Sequence, residues 1–186
     1  ISYVRQQEPA GLGHAVWCAR NIVANEPVSI LLADDLILGQ PALKEMCEAW
    51  KGGNMVAAMK VDPEKTASYG IITPGKTFGN LVEVHGLVEK PKPKDAPSAI
   101  AIVGRYIIQP SVFTTLSTQS KGAGGEIQLT DALSREIGKA PFFGYHFSGK
   151  RFDCGSKLGF LQANIAFALQ RDDLKGPLKN WIKNQF

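Results

Sequence analysis

Cysteine is scarce in this chain. Cys18, Cys47 and Cys154 are the three among 186 residues, an odd number without C-x-x-C spacing. That argues against a disulfide framework or a zinc site and fits a reducing compartment. Histidine is equally rare, at three, and no Ser-His-Asp or Cys-His arrangement stands out. No apolar run reaches the ~20 residues of a membrane helix. No signal-peptide pattern opens the sequence as given, so the expected location is cytoplasmic. Charge of one sign is also missing: 21 Lys+Arg oppose 17 Asp+Glu, for a net +4. The basic residues are spread out, apart from Lys90, Lys92 and Lys94. Nucleic-acid binders cluster them on one face. Neither nucleic acid nor membrane is therefore an expected partner, and the small excess suits phosphate-bearing small molecules. Repeats and low-complexity segments are absent. What is present is ordinary, 44% hydrophobic and 20% charged, enough for one core and one domain over residues 1–186.

The chain is organised around Glu26 to Gln40, EPVSILLADDLILGQ. Val28 to Ala33 is a branched apolar run that reads as a strand buried on both faces, as in a parallel sheet. It ends in Asp34-Asp35. Carboxylates are rarely buried unless paired or metal-bound. The pair is therefore either delivered to the carboxyl end of a sheet, where open α/β folds bind ligands, or is a plain strand-end turn.

Ile1 to Gln6 alternates weakly and is compatible with a strand. It begins without a cap or a starter methionine, so the chain is expected to be cut from something longer. QQEPAGLGHA, Gln6 to Ala15, then leads into a helix with Leu12, Ala15, Val16, Ala19, Ile22 and Val23 on one face. Such a Gly-rich entry is either a ligand platform or a turn that binds nothing. His14 reads as a helix-surface or packed residue. Pro41 opens a second helix with Leu43, Met46, Cys47 and Trp50 on its apolar face, and Gly52-Gly53 closes it. Met55 to Val61 is the next strand. Helix and strand alternate here as in a doubly wound parallel sheet.

Tyr69 to Ile72, Leu81 to Glu89 and Ile100 to Ile108 read as strands. Between the last two, Glu89 to Ser98 (EKPKPKDAPS) is an extended solvent-facing link. Its start, Glu89-Lys90, is either a charged strand end or a binding pair. A carboxylate accepts sugar hydroxyls and an ammonium holds a phosphate. Helices are expected over Pro110 to Leu116, Glu126 to Ile137, Lys157 to Leu174 and Leu178 to Ile182. Leu158, Leu161, Ile165, Ala168 and Leu169 form the apolar face of the third. Phe142 to Phe147 and Arg151 to Gly155 read as strands. If Asp34 and Asp153, both at strand ends, meet in space, they would hold Mg²⁺.

QQEPAGLGHA, LLADD, YGII, VEKPKP, APSAIAIVGRYI, GAGGEIQLTDAL and RFDCGSKLGFLQANIAFAL follow one another in order. Together they resemble the bacterial UTP–glucose-1-phosphate uridylyltransferases, or UDP-glucose pyrophosphorylases, over nearly all of Arg5 to Trp181. The resemblance implies an α/β, Rossmann-like sugar nucleotidyltransferase fold with a mixed, mostly parallel sheet. It also implies Mg²⁺-dependent synthesis of UDP-glucose and pyrophosphate from UTP and glucose 1-phosphate by a homo-oligomer. By motif, Gln6 and Gly11 would read the uracil. Asp34 and Asp153 would ligate Mg²⁺, and with Lys90 they form the catalytic set. Gly70, Glu89 and Ile102 would meet the glucose, and Lys90 its phosphate. Asp131 and Lys157 are further candidates. The chemistry would be in-line attack on the α-phosphorus, carried by positioning and charge neutralisation.

Two departures from that family pattern stand out. A Gly-rich, Arg- and Lys-bearing triphosphate loop and the N-terminal strand before it are absent from the sequence given, and neither GKTFG at Gly75 nor GAGG at Gly122 replaces the loop. Ala99 stands where the family often has asparagine. The expectation is a fragment with little or no turnover. The alternatives are a related enzyme, such as a thymidylyltransferase, or a non-catalytic binding or assembly module.

Overall fold

A computed structural model describes every residue except 24, 119 and 186. Residues 1–6 form no strand. Ile1 to Arg5 are exposed, with no neighbouring strand to pair their backbone. The elements then run α1 (Leu12–Cys18), α2 (Arg20–Val23), β1 (Val28–Leu31), β2 (Asp35–Leu38), α3 (Ala42–Ala49), β3 (Asn54–Lys60), β4 (Gly70–Phe78) and β5 (Leu81–Glu89). They continue as β6 (Ile100–Ile108), α4 (Ser111–Ser117), α5 (Leu129–Ser134), β7 (Phe142–His146), β8 (Lys150–Asp153), α6 (Lys157–Ala168) and α7 (Asp172–Lys183).

Six strands form one sheet in the order β1-β6-β3-β7-β5-β4, and β2 pairs with β8 in a separate two-stranded sheet. The α/β class and the mixed sheet match the sequence-based expectation. The expectation of mostly parallel pairing does not hold: β3–β7 is the parallel pair and the other pairings are antiparallel. β1 and β3 do point the same way, as the helix–strand alternation implied, but β6 lies between them and runs against both. The β4–β5 hairpin, closed by Gly79-Asn80, needs no crossover helix, so its strands run antiparallel.

Side chains alternate across β3. Val56 and Ala58 join one apolar cluster with Val112 and Leu116 of α4 and Leu129, Ala132 and Leu133 of α5. Met55 and Ala57 join the other with Met46 of α3. The sheet is thus covered on both faces. β1 departs from the expected two-sided burial. It is an edge strand, and Leu31 is 55% exposed.

Two helices also differ from expectation. The one expected over Glu126 to Ile137 shrinks to α5, because Ile127 is held extended. Its N–H donates to Ala10 O at 2.7 Å and its carbonyl accepts from Gly13 N–H at 2.8 Å. The helix expected over Lys157 to Leu174 breaks after Ala168. Arg171 is extended (φ −95°, ψ 127°) and α7 starts behind it, absorbing the separate short helix expected at Leu178 to Ile182. α6 buries Gly159 and Ala163, while Leu158 and Leu161 of the expected apolar face are 66% and 58% exposed. Among the described residues no helix is long and apolar enough to cross a membrane.

Candidate active site

The edge of β6 that faces away from β3 is shared. β1 pairs with Arg105 to Ile108, and β4 touches the same edge at Ala101. Between them Ile102, Val103 and Gly104 are left without a strand, and a cavity of about 330 Å³ opens there. That is within the usual range of small-molecule sites. Asp34, Gly70, Glu89, Lys90, Ile102 and Asp153, read from five separate motifs, all line it.

Local register explains the convergence. Gly70 opens β4 directly opposite Glu89 at the end of β5. A β-carbon on Gly70 would stand 3.1 Å from Thr130 Oγ1 and 3.2 Å from Glu89 Oε2, so glycine leaves room at the cavity floor. Lys90 follows with φ 46°, the left-handed conformation that non-glycine residues seldom adopt. Its N–H donates to Tyr69 O at 2.9 Å, and its ammonium lies 3.7 Å from Glu89 Oε1. The Glu89 side chain is 10% exposed and the Lys90 side chain 54%, so the lysine is the more accessible of the two.

The acids come from the small sheet. The LLADD segment turns after β1, and Asp35 begins β2 opposite Asp153 of β8. Cys154 N–H donates to Asp34 O at 2.7 Å, which locks the two segments together. A β-carbon on Gly155 would lie 3.1 Å from Asp153 Oδ1 and 3.2 Å from Asp34 Oδ2. The two carboxylates therefore flank one small space. No third His, Cys, Asp or Glu completes a metal cluster among the described residues.

Asp35, adjacent to a predicted ligand, has a different role. It is 5% exposed, accepts from Gly104 N–H at 2.6 Å and is ion-paired to the Arg151 guanidinium. Arg151 also donates to Tyr69 Oη at 2.9 Å, and its Nη2 lies 3.7 Å from Asp153 Oδ2. Burial opposes its charge, but Asp35 and Tyr69 outweigh that and raise its pKa. Tyr106 also lines the cavity. Burial first, then the charges of Asp35 and Glu89, push its phenol well above the ordinary range, leaving it a hydrogen-bond donor. Sequence reasoning gave no role to Tyr69, Gly104, Tyr106, Thr130 or Arg151. Arg151 and Tyr69 were legible only as the first residues of RFDCG and YGII.

The other expected residues stand apart. Gln6 and Gly11 are outside the cavity wall, although Leu12, next to Gly11, forms part of it. Gly11 has φ 101°, and a β-carbon there would approach Ile127 O at 2.8 Å. Asp131 faces Gly122 and Lys157 opens α6, and neither lines the cavity.

The nucleotidyl transferase family model matches residues 1–169. A UTP–glucose-1-phosphate uridylyltransferase of Komagataeibacter xylinus is 47% identical over 176 residues, covering 93% of this chain and 60% of that protein. One from Bacillus subtilis is 44% identical over 181 residues, covering 96% of this chain and 62% of that protein. The chain thus spans about three fifths of the length of these curated relatives. A crystal structure of UDP-glucose pyrophosphorylase complexed with UDP-glucose superposes with a TM-score of 0.87 at 38% identity, covering 91% of this chain and 66% of that one. A UTP-bound enzyme from Acinetobacter baumannii gives 0.82 at 30% identity, over 96% and 64%. With a family match over most of its length, the chain belongs to the nucleotidyl transferase family.

Proposed function

We propose that this chain carries the sugar-binding, base-reading and metal-ligating part of a UTP–glucose-1-phosphate uridylyltransferase. The enzyme joins UTP and glucose 1-phosphate into UDP-glucose and pyrophosphate. The observation that carries the reading is the meeting of Asp34, Gly70, Glu89, Lys90, Ile102 and Asp153 in one cavity. Glu89 accepts glucose hydroxyls while Gly70 and Ile102 let the ring lie close. Lys90 holds the sugar phosphate as a point charge. Gln6 and Gly11 read the uracil from the rim beside Leu12. Asp34 and Asp153 offer hard oxygen donors to one space, a set that fits Mg²⁺, which takes one or two carboxylates with water and phosphate. When bound, the ion neutralises phosphate charge in the in-line transfer. The residues themselves supply position and charge, and no proton shuttle is needed.

The chain is read as one domain over residues 1–186, working in the cytoplasm as a homo-oligomer. The exposed apolar side chains of α6 and α7, Leu158, Phe160, Leu161 and Trp181, support assembly. The cations lining the cavity are Lys90 and Arg151, and Arg151 is already paired with Asp35. A triphosphate needs more, so the 186-residue chain is expected to bind UDP-glucose with little or no turnover.

Calorimetry of UDP-glucose binding with and without Mg²⁺ tests the assignment. Mg²⁺ should tighten binding, and Asp34→Asn or Asp153→Asn should remove that gain. Glu89→Gln and Lys90→Met should each weaken binding by about tenfold, the scale of a charge-assisted contact. Unchanged affinity in both would overturn the site. Preference for dTDP-glucose would move the assignment to thymidylyl transfer. Robust UDP-glucose synthesis by this chain would refute the expected lack of turnover.

A further inference from the structure

We infer that His14 is a positioning residue for nucleobase selection, holding the Gln6 amide so that its oxygen is the atom presented to the base. This rests on the reading above in which Gln6 meets the uracil.

The hydrogen bonds decide the orientation. Gln6 Nε2 lies 3.0 Å from Gly11 O and 3.0 Å from His14 Nδ1. A carbonyl oxygen only accepts, so the amide atom facing Gly11 must be the nitrogen. His14 Nδ1 must then accept the second N–H, which places the imidazole proton on Nε2. Nε2 lies 3.9 Å from Cys18 Sγ, a weak acceptor one helical turn further along α1. Both amide protons of Gln6 are thereby used inside the protein. Its Oε1 has no hydrogen-bond partner among the described residues and remains as an acceptor.

His14 is itself held in place. Its ring stacks on Trp17 at 6.0 Å with a 24° interplanar angle, and the Arg20 guanidinium lies 3.5 Å over the Trp17 ring. Turning the Gln6 amide over would set its oxygen against two acceptors, Gly11 O and His14 Nδ1. The oxygen is therefore held away from both of them. An acceptor suits a base that offers a ring N–H, as uracil does at N3. Cytosine has a lone pair at N3, so acceptor would meet acceptor. His14 carries this selectivity without touching the base.

The test uses the 186-residue chain and two nucleotides differing only in that edge, UDP and CDP. The wild type should favour UDP by about tenfold or more, and Gln6→Ala should erase the preference. His14→Phe keeps a ring over Trp17 but removes the acceptor. It should reduce the UDP/CDP ratio roughly five- to tenfold, the weight of one hydrogen bond. His14→Gln, which restores an acceptor, should recover most of it. A ratio unchanged in His14→Phe but lost in Gln6→Ala overturns the role of His14 and leaves base reading by Gln6 intact. A ratio unchanged in Gln6→Ala, or a wild type that does not distinguish UDP from CDP, overturns both. Nitrogen-15 NMR of the histidine ring reads the tautomer in the wild type, whether or not a variant folds. Protonated Nε2 with bare Nδ1 is expected, and the opposite tautomer overturns the proposal.

Discussion

Single residues here divide between facing the cavity and holding one another, and adjacent positions take opposite roles. Asp34 faces the shared space at Gly155, whereas Asp35 is buried against Arg151 and Gly104 N–H. Removing one partner of a buried ion pair leaves an uncompensated charge and costs about 3–5 kcal/mol. Arg151→Met should therefore destabilise by that amount in urea unfolding, and Asp35→Asn/Arg151→Met should lose less than the single variant. Glu136 is a second buried carboxylate, 2% exposed, and accepts from Ser111 Oγ and Thr115 Oγ1 at 2.6 Å and from Lys139 Nζ at 2.9 Å. Burial alone would push its pKa up. The bonds from Ser111, Thr115 and Lys139, with the lysine's charge, outweigh it and hold the pKa below its ordinary 4.5. A folded value below the unfolded one adds stability at pH above the unfolded value, and that stability is lost as pH falls through the folded one. Thermal unfolding should show the wild type losing this contribution below pH 4.5, while Glu136→Gln is less stable at neutral pH and flatter in that acidic window.

Among the elements, the small β2–β8 sheet and α6 matter most to the site. β2 was not foreseen. It begins at the second acid of the pair, Asp35, where the sequence showed only the end of an apolar run, and pairing with β8 makes it a strand of its own. α6 starts at Lys157, three residues beyond the Asp153–Cys154 step, and is capped by Ser156, whose Oγ accepts from Gly159 N–H at 3.0 Å. Ser156→Ala should cost about 1 kcal/mol, the usual weight of a cap. Gly159 packs against the backbone carbonyl of Asp153, with no space for a β-carbon. Gly159→Ala should push α6 off β8 and displace Asp153. We expect it to weaken Mg²⁺-dependent UDP-glucose binding at least tenfold more than Ser156→Ala does, a difference of about 1.4 kcal/mol. Equal effects in calorimetry would show that α6 does not set the Asp153 position.

At the scale of the molecule, one strand organises the rest. β6 pairs with β3 along one edge and shares the other between β1 and β4, and the cavity occupies the interval. On the outside, α6 turns Leu158, Leu161 and Ile165 toward solvent, with exposures of 66%, 58% and 42%. Apolar side chains exposed together on one helix are what an association between copies would bury. If copies of the chain associate through it, Leu161→Glu should lower the mass found by light scattering to about that of one chain, 20.1 kDa. A mass unchanged from that of the wild-type assembly would place the contact elsewhere.

Much of this was determined by the sequence itself. Apolar runs and turn residues located most strands and helices, and the order of short motifs named the acids, the glycines and the Glu89-Lys90 pair. Those signals are local, because side-chain period and turn chemistry act over a few residues. The rest is decided by contacts between distant segments. Pairing with β6 set the strand directions, and the tie of Ile127 to Ala10 and Gly13 shortened α5. The split of roles between Asp34 and Asp35 depends on Arg151, more than a hundred residues away. Only the folded backbone brings such groups within hydrogen-bonding distance, so neither the cavity nor the charge that balances it is visible along the chain.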